Sequence, residues 1–197
     1  KVYYSEGDEQ IPLYFLNESK LIGKHNIQNI LASATMAKSF GINEKAIRKA
    51  VLAFDPVPHR IEFSGQINGI KCYNDSKATN LDAVKTAINS FKDPIILILG
   101  GKDKGNSNFN ELLPNLNKSV KQIICYGDSG NYIFNELIDF ENKIVINDFN
   151  SAVSNAIESG KRGDILLLSP GCASFDQFKN YEQRGNSFKK IISEYSC

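Results

Sequence analysis

The stretch PIILILGG, residues 94–101, decides the fold expected for this chain. Five consecutive apolar residues, Ile95 to Leu99, lie between a proline and two glycines, which is typical of a strand buried on both faces of a sheet. Further apolar runs at 123–126, 144–146 and 165–168 alternate with segments of helical periodicity. Strands that alternate with helices favour a parallel sheet. The sequence therefore predicts an α/β fold, with a mostly parallel sheet and helices on both of its faces.

Apolar spacing and turn residues set the other expected elements. Helices are predicted at 27–37 with a stop at Gly41, 43–54 with Asn43 as the N-cap, 81–91, 109–116 with an interruption at Pro114, 132–138, 151–159 and 176–195. Additional strands are predicted at 13–16, 20–23, 61–63 and 70–73, the last two joined as a hairpin through Asn68-Gly69.

The segment Asp55-Pro56-Val57-Pro58 separates two parts of the chain. Proline removes a backbone donor and restricts the residue before it, so the preceding helix is expected to end here. We place a domain boundary at this point, with residues 1–55 as one domain and 56–197 as the other.

Composition excludes several classes of protein. Lys and Arg number 23 against 22 Asp and Glu, so no general field favours nucleic acid or an anionic membrane as a partner. The apolar runs are far shorter than the roughly 20 residues of a membrane span. The cysteines are far apart, without a CxxC pair, which favours free thiols in a reducing, cytoplasmic setting over a disulfide framework or a zinc site.

Ligands of parallel sheets bind where strands end, and three predicted strand ends are followed by polar loops. The first loop is NDSKATN, residues 74–80. It offers the N–H groups of a helix start and the Lys77 charge to an anion, and the Asp75 carboxylate to sugar hydroxyls. A capped loop with Thr79 or Asn80 as the N-cap explains the same residues.

The second and third loops are GGKDKG, residues 100–105, and SPGCASFDQF, residues 169–178. The former lacks the GxxxxGK[ST] order of a phosphate loop; its lysines suit a carboxylate-bearing ligand, or a solvated turn. In the latter, Ser174 with Gln177 fits a capping box. Because the loops share one sheet edge, we expect one cleft lined by Asp75, Lys77, Thr79, Lys104 and Ser174.

Residues outside these loops are ambiguous. Asn26 and Asn29 could pair with an adenine edge, although helix capping explains Asn26 equally well. Arg60 could clamp a phosphate or pair with Glu62. Cys172 has no histidine near it in sequence, which favours a buried thiol over a nucleophile, and the two histidines are too isolated to predict a metal site.

Five motifs together resemble the Mur ligases of peptidoglycan synthesis, and within them the branch that adds D-glutamate. These motifs are GKHNIQN (23–29), PHRIEF (58–63), NDSKATN (74–80), LGGKDKG (99–105) and LLSPGCASFDQFKNYEQRGNSF (167–188). The resemblance implies a Rossmann-like C-terminal domain at 56–197, preceded by a helical C-terminal remnant of the central ATP-binding domain at 1–55. The UDP-sugar site, the phosphate loop and the Mg2+ ligands would then lie upstream, and this fragment would be inactive alone.

The resemblance also implies roles near ATP. Asn26 and Asn29 match asparagines beside the adenine, and Asp75 matches an aspartate that binds the ribose. Arg60 matches a phosphate-contacting arginine and Lys77 a lysine near the reacting phosphates. His59 is expected to position the arginine, and these last three form the predicted catalytic group.

The amino-acid side is implied in the same way. Thr79, Lys104 and Ser174 match residues that hold the D-glutamate carboxylates, and Phe175 contributes through its backbone. Tyr181 stands where the family often has Phe, and Phe175 where it often has Leu, so both departures keep an apolar body in the pocket.

The reaction implied is phosphorylation of the carboxylate of UDP-N-acetylmuramoyl-L-alanine by ATP, followed by attack of the D-glutamate amine on the acyl phosphate. Such an enzyme serves cell-wall biogenesis, cell shape and cell division, and a monomer is expected for its full-length form. The alternatives are another Mur ligase, a folylpolyglutamate synthase-like ligase, or a non-catalytic domain that binds a nucleotide or an acidic amino acid.

Overall fold

The described residues of the first part of the chain form two helices and a strand pair. In this computed structural model the backbone is described for residues 2–6, 9–14, 20–21, 23–105 and 107–196, and side chains for 20–21, 23, 26–105 and 107–196. The chain divides into two compact units, Lys1–Val57 and Pro58–Cys197. This division falls inside the Asp55–Pro58 segment where the sequence places the domain boundary.

The first unit contains β1 (Val2–Glu6), β2 (Glu9–Tyr14), α1 (Lys24–Ser39) and α2 (Glu44–Ala53). Strands β1 and β2 are antiparallel. The predicted helix start at Asn43 is confirmed, because its side chain accepts a hydrogen bond from the Ala46 N–H. Ile30 and Ala34 of α1 and Ile47 of α2 form a small buried core.

Several predictions for this unit differ from the structure. β1 was missed, because its mixed polar and apolar sequence carries no clear alternation. The strand predicted at 13–16 corresponds to the end of β2, with residues 15 and 16 outside the described residues, and the described residues of 20–23 are not in a strand. Asn26 does not cap α1, because the N-cap is Gly23.

The second unit is a six-stranded sheet covered by helices. Its elements are β3 (Glu62–Ile67), β4 (Ile70–Asn74), α3 (Leu81–Ile88), β5 (Ile95–Gly100), a 3-10 turn (Phe109–Leu112), α4 (Leu113–Ser119), β6 (Val120–Tyr126), α5 (Gly130–Glu136), β7 (Lys143–Val145), α6 (Phe149–Ser159), β8 (Ile165–Gly171) and α7 (Tyr181–Tyr195). The strand order is β3-β4-β8-β5-β6-β7. Only β3 is antiparallel to its neighbour, so the predicted mostly parallel α/β sheet is confirmed.

Alternating residues of the central strands pack against helices on opposite faces of the sheet. Ile96 and Ile98 of β5 join a buried cluster with Phe149 of α6 and Phe188 of α7. The intervening Leu97 and Leu99, also fully buried, point to the opposite face, which α3, α4 and α5 cover. The uninterrupted apolar sequence of β5 is thus explained by burial on both sides.

The hairpin between β3 and β4 forms as predicted. Asn68 and Gly69 both have positive φ, at 51° and 87°, as a type I′ turn requires. Asn tolerates this left-handed conformation and Gly adopts it freely, so the dipeptide fixes the register in which Ile67 faces Ile70.

Several predicted helix boundaries in this unit were wrong. The last helix begins at Tyr181 instead of 176, because Asn180 caps it by accepting from the Gln183 N–H at 2.7 Å. Pro114 lies in the first turn of α4 instead of interrupting a helix, since the N–H groups of a first turn have no partner within the helix. The helix predicted at 81–91 ends at Ile88, and the one predicted at 132–138 runs from Gly130 to Glu136.

Candidate functional site

The three polar loops predicted from the sequence meet at the carboxyl edge of the sheet. β8 lies between β4 and β5, so the loops after these three strands are neighbours. Backbone hydrogen bonds join them directly: Lys102 and Ala173 exchange two bonds, at 2.9 and 3.0 Å, and the Gly171 N–H donates to the Ala78 carbonyl at 2.9 Å. The loops therefore form one continuous surface.

Asp75 lies at the centre of this surface and is only 5% exposed. Its Oδ1 accepts from the Ile61 N–H at 3.2 Å and its Oδ2 from the Ser169 hydroxyl at 2.8 Å. Burial raises the pKa of Asp75 to about 7, although these two hydrogen bonds and the charge of Arg60 act in the opposite direction. A carboxyl group that titrates near neutrality can accept or donate a hydrogen bond to a ligand hydroxyl.

A polar cluster of His59, Glu62 and Asn74 lies beside Asp75. Asn74 Nδ2 donates to His59 Nδ1 at 2.9 Å and to Glu62 Oε2 at 3.1 Å, which requires His59 Nδ1 to be an acceptor. Burial lowers the pKa of His59, in keeping with a neutral ring. Glu62 also accepts from Lys189 at 3.0 Å, so the pairing of Glu62 with Arg60 considered from the sequence is wrong.

The backbone around Arg60 is strained. His59 and Ile61 have φ of 62° and 45°, a region that is a genuine outlier for a β-branched residue such as Ile61. Two carboxylates hold this turn, because the His59 N–H donates to Glu62 at 2.9 Å and the Ile61 N–H to Asp75. The turn presents Arg60 at the surface, exposed and, among the described residues, without a hydrogen bond or ion pair.

Gly185 of α7 lets that helix approach the cluster. A Cβ atom at this position would lie 2.1 Å from His59 Nδ1 and 3.0 Å from Asn74 Nδ2, which is far inside contact distance. Only glycine therefore allows α7 to pack against the polar cluster in this way.

Lys77 and Tyr181 are neighbours at the same edge. The Lys77 ammonium lies 5.4 Å from the centre of the Tyr181 ring, within cation–π range. The Tyr181 ring also contacts His59 edge-on, with 5.9 Å between ring centres. In the described part of the chain no carboxylate forms an ion pair with Lys77, so its charge is available to a ligand.

Thr79 and Ser174 present hydroxyls that have no hydrogen bond to any described residue. Thr79 is half-buried just before α3, whose N-cap is Asn80, one of the two capping residues considered from the sequence. Ser174 is 2% exposed. Its predicted capping box with Gln177 was wrong, because Gln177 bonds to the backbone of Asn147 and Phe149 instead. Phe175, next to Ser174, has an exposed side chain.

The loop after β5 is open to solvent. Lys102 and Lys104 are exposed, and Asp103 organises the loop by accepting from the N–H groups of Gly105 and Ser107 and from the Ser107 hydroxyl. These bonds lower the pKa of Asp103 despite a burial effect that acts to raise it.

Arg184 of α7 was not singled out from the sequence, although its side chain is 0% exposed. Its guanidinium donates to the loops after β4 and β8 and to the Tyr126 hydroxyl at the end of β6. The only signal in the sequence was a charged residue on the otherwise apolar face of α7, four residues before Phe188.

Asn26 and Asn29 lie in the first unit, whereas the surface described above is formed by residues of the second unit. Both lie on α1 of the first unit, Asn26 half-buried and Asn29 exposed. Their predicted contact with adenine stays a prediction.

The cysteine at this edge of the sheet, the possible metal ligands and the helices were each compared with the expectations from the sequence. Cys172 is buried, and burial raises the pKa of its thiol to about 12, in keeping with the predicted inert buried cysteine. Among the described residues, no group of three His, Cys, Asp or Glu side chains could hold a metal ion. Of the helices described, none is long and apolar enough to cross a membrane.

Comparisons with known proteins agree with the fold. The UDP-N-acetylmuramoylalanine–D-glutamate ligase of Caldicellulosiruptor bescii is 45% identical over 174 residues, which cover 87% of this chain and 38% of that protein. The ligase of the same name from a Thermoanaerobacter species is 40% identical over 197 residues, covering 98% of this chain and 43% of that protein. The chain thus spans about two fifths of the length of these curated relatives.

A solved structure shares the architecture at low sequence identity. The UDP-N-acetylmuramate–alanine ligase of Thermotoga maritima superposes with a TM-score of 0.67 at 17% identity, covering 90% of this chain and 39% of that one. The family model described as "Mur ligase, glutamate ligase domain" matches residues 59–172, more than half of the chain. With the loops, the sheet and these matches in agreement, the chain belongs to the Mur ligase family and contains its glutamate ligase domain.

Proposed function

We propose that this chain is the C-terminal part of an ATP-dependent ligase that joins D-glutamate to UDP-N-acetylmuramoyl-L-alanine in peptidoglycan synthesis. The observation that carries the proposal is the set of unpaired donors at one sheet edge: the Lys77 and Lys104 ammonium groups and the Thr79 and Ser174 hydroxyls. Glutamate has two carboxylates, and such a ligand needs several donors on one surface. The names of the curated relatives support D-glutamate over other amino acids.

Arg60 and Lys77 fit the phosphate side of a nucleotide. Both are cations without a carboxylate partner among the described residues. Asp75, only 5% exposed, lies in the Lys77 loop, accepts from the Ile61 N–H beside Arg60 and has a carboxyl group suited to a ribose hydroxyl. ATP, when bound, supplies the phosphoryl group that activates the carboxylate substrate. The Arg60 guanidinium and the Lys77 ammonium would then offset negative charge at that group. We assign Mg2+ binding to the part of the longer protein that this chain does not include.

The amino-acid side of the site would orient the attacking amine. Lys104, Thr79 and Ser174 come from three different loops, so two carboxylates held between them would leave the amine of glutamate in a fixed direction. Fixing the nucleophile in this way converts a bimolecular attack into a positioned one. The three buried, free thiols among the described residues support a reducing, cytoplasmic setting.

The proposal is tested in the full-length ligase that contains this chain. Phosphate release and product mass are measured with ATP, UDP-N-acetylmuramoyl-L-alanine and, in separate reactions, D-glutamate, L-glutamate, L-alanine or L-lysine. We expect turnover with D-glutamate only. Turnover with another amino acid, and none with D-glutamate, would contradict the assigned substrate.

A matched pair of serine variants locates the amino-acid site. Ser174→Ala removes an unpaired hydroxyl and is expected to raise KM for D-glutamate about 10-fold, the worth of one hydrogen bond to a charged group. Ser159→Ala removes a hydroxyl that bonds to the Ala156 carbonyl at the end of α6, at the opposite edge of the sheet, and should leave KM unchanged. Equal KM values for both variants would place D-glutamate elsewhere.

A further inference from the structure

We propose that Arg184 is a positioning residue, which holds the loops after β4 and β8 so that Lys77 takes its place at the phosphate side of the site and Ser174 its place at the amino-acid side. This inference rests on the proposed function. Arg184 lies on α7, 108 residues after Ser76 of the loop after β4 and 11 residues after Ala173 of the loop after β8. Its side chain fills the space beneath both loops at 0% exposure.

The guanidinium bonds to both loops and to β6. Nε donates to the Ser76 hydroxyl at 2.9 Å, and Nη2 to the Ser76 carbonyl at 2.8 Å. Both Nη atoms lie 3.2 Å from the Cys172 carbonyl, and Nη1 also reaches the Ala173 carbonyl at 3.3 Å and the Tyr126 hydroxyl at 3.1 Å. All three nitrogens are therefore engaged, and one side chain fixes both loops relative to each other.

The acceptors lie directly beside the proposed site residues. Ser76 precedes Lys77, and Ala173 precedes Ser174. The Ser174 hydroxyl makes no hydrogen bond of its own among the described residues, so its position is set by the backbone that Arg184 holds. Ala173 also exchanges two backbone bonds with Lys102, which couples the loop that carries Lys104 to the same anchor.

Stability alone does not explain a buried arginine here. No carboxylate among the described residues lies within ion-pair distance of the guanidinium, so a full charge is buried against neutral oxygens only. Burying an unpaired charge is costly, and well-packed apolar side chains in place of buried ions are often neutral or stabilising. What an apolar side chain cannot supply is a planar fork of donors that fixes several carbonyls at once.

Lysine cannot replace this fork, because its single ammonium has three donors on a flexible stem. Loops held less firmly misplace Lys77 and Ser174, and a displacement of about 1 Å can cost roughly 100-fold in rate. The proposal therefore predicts that Arg184→Lys impairs binding of D-glutamate even where the fold survives.

The test uses the full-length ligase with Arg184→Lys and Arg184→Met, alongside Phe188→Leu as the control. Phe188 lies one turn further along α7, is 0% exposed and belongs to the buried apolar cluster of Ile96 and Phe149. Its side chain has no polar atom, so its variant loses core packing without removing a hydrogen bond to either loop. We expect both Arg184 variants to raise KM for D-glutamate at least about 10-fold and to leave KM for UDP-N-acetylmuramoyl-L-alanine within about 2-fold of wild type. Phe188→Leu should leave both KM values unchanged.

The outcomes separate this inference from the proposed function. If the wild-type ligase turns over D-glutamate but the Arg184 variants keep its KM, or change it no more than Phe188→Leu at a matched melting temperature, the positioning role is wrong and the function stands. If the wild type does not use D-glutamate, the proposed function itself fails. Should both variants be insoluble, Arg184→Gly is assayed with added guanidinium ion and, separately, with added ammonium ion. Turnover of D-glutamate restored by guanidinium but not by ammonium supports the positioning role, and no such restoration overturns it.

Discussion

The loop after β4 and the loop after β5 carry similar polar residues at the same sheet edge, but they are held in different ways. In the loop after β4, Asn74, Asp75 and Ser76 are buried and bond to residues of β8 and α7 that lie about a hundred positions away in sequence. In the loop after β5, Lys102 and Lys104 are exposed, and most side-chain bonds run from Asp103 to residues at most four positions away.

This difference implies that the loop after β4 contributes to the stability of the fold, whereas the loop after β5 can adapt to a ligand. A loop fixed by long-range buried bonds cannot move without breaking the packing of α7 against the sheet. In the loop after β5, two backbone bonds tie Lys102 to Ala173, whereas the part that carries Lys104 is open to solvent and its side-chain bonds are mostly local. That part can adjust to a ligand at little cost in free energy of unfolding. We infer that the first loop supplies a rigid frame and the second a mobile charge.

The largest expected effect tests the rigid frame. Asn74→Ala removes bonds to His59, Glu62 and the Gly185 carbonyl and leaves the Ser76 N–H without its acceptor, so we expect the free energy of unfolding to fall by about 3 kcal/mol. Asp103→Ala, the matched change in the loop after β5, is expected to cost about 1 kcal/mol. Urea unfolding followed by circular dichroism gives both values, and equal losses would remove the distinction between the loops.

A smaller effect concerns pH. The pKa of Asp75 is about 7 in the folded chain because of burial, above its value of about 3.9 when unfolded. Between these values the folded state binds more protons, so this group lowers the free energy of unfolding as pH rises, by at most about 1.4 kcal/mol per pH unit. The Asp75→Asn variant lacks this titrating group, so its free energy of unfolding should not show the same decrease. Its stability relative to wild type should therefore increase from about pH 4 to about pH 7.

The control for the pH experiment is Asp139→Asn, at an exposed position on the same unit. Its urea midpoints should follow those of wild type across the range. A wild-type curve parallel to that of Asp75→Asn would show that Asp75 titrates normally and that burial does not govern it.

The smallest effect on stability is expected at Lys104. Because this side chain is exposed and forms no ion pair with described residues, Lys104→Ala should change the free energy of unfolding by less than about 0.5 kcal/mol. In the full-length ligase it should still raise KM for D-glutamate about 10-fold, since it removes a charge-assisted contact. Lys118→Ala, on an exposed part of α4, should change neither quantity; a normal KM for Lys104→Ala would exclude the mobile-charge role.

Much of the fold follows from local patterns. The structure confirms the strands predicted from the apolar runs of β5, β6 and β8 and the hairpin predicted from the Asn-Gly turn. Burial on both faces of a sheet requires apolar residues, and positive φ favours Asn and Gly, so both features can be recognised in the sequence. The start of α7 was misplaced because Ser174 and Gln177 mimic a capping box, while the real cap at Asn180 depends on how the preceding loop folds back.

The residues of the candidate site likewise fall into those that local sequence can indicate and those that it cannot. Asp75, Lys77, Thr79, Lys104 and Ser174 could be proposed from the sequence because they follow strands and offer charges or hydroxyls. Arg184 could not, since its role depends on carbonyl groups that every sequence has and that only folding gathers around one side chain.

The sequence by itself determined the α/β class, the order of elements in the second unit and the edge at which polar residues collect, because side-chain hydrophobicity and turn chemistry act over a few residues. Only the tertiary structure decided that β8 inserts between β4 and β5, which brings the three loops together. It likewise decided which polar groups are buried and bonded and which remain free for a ligand. Those choices depend on contacts between residues about a hundred positions apart, and no local pattern in the chain records them.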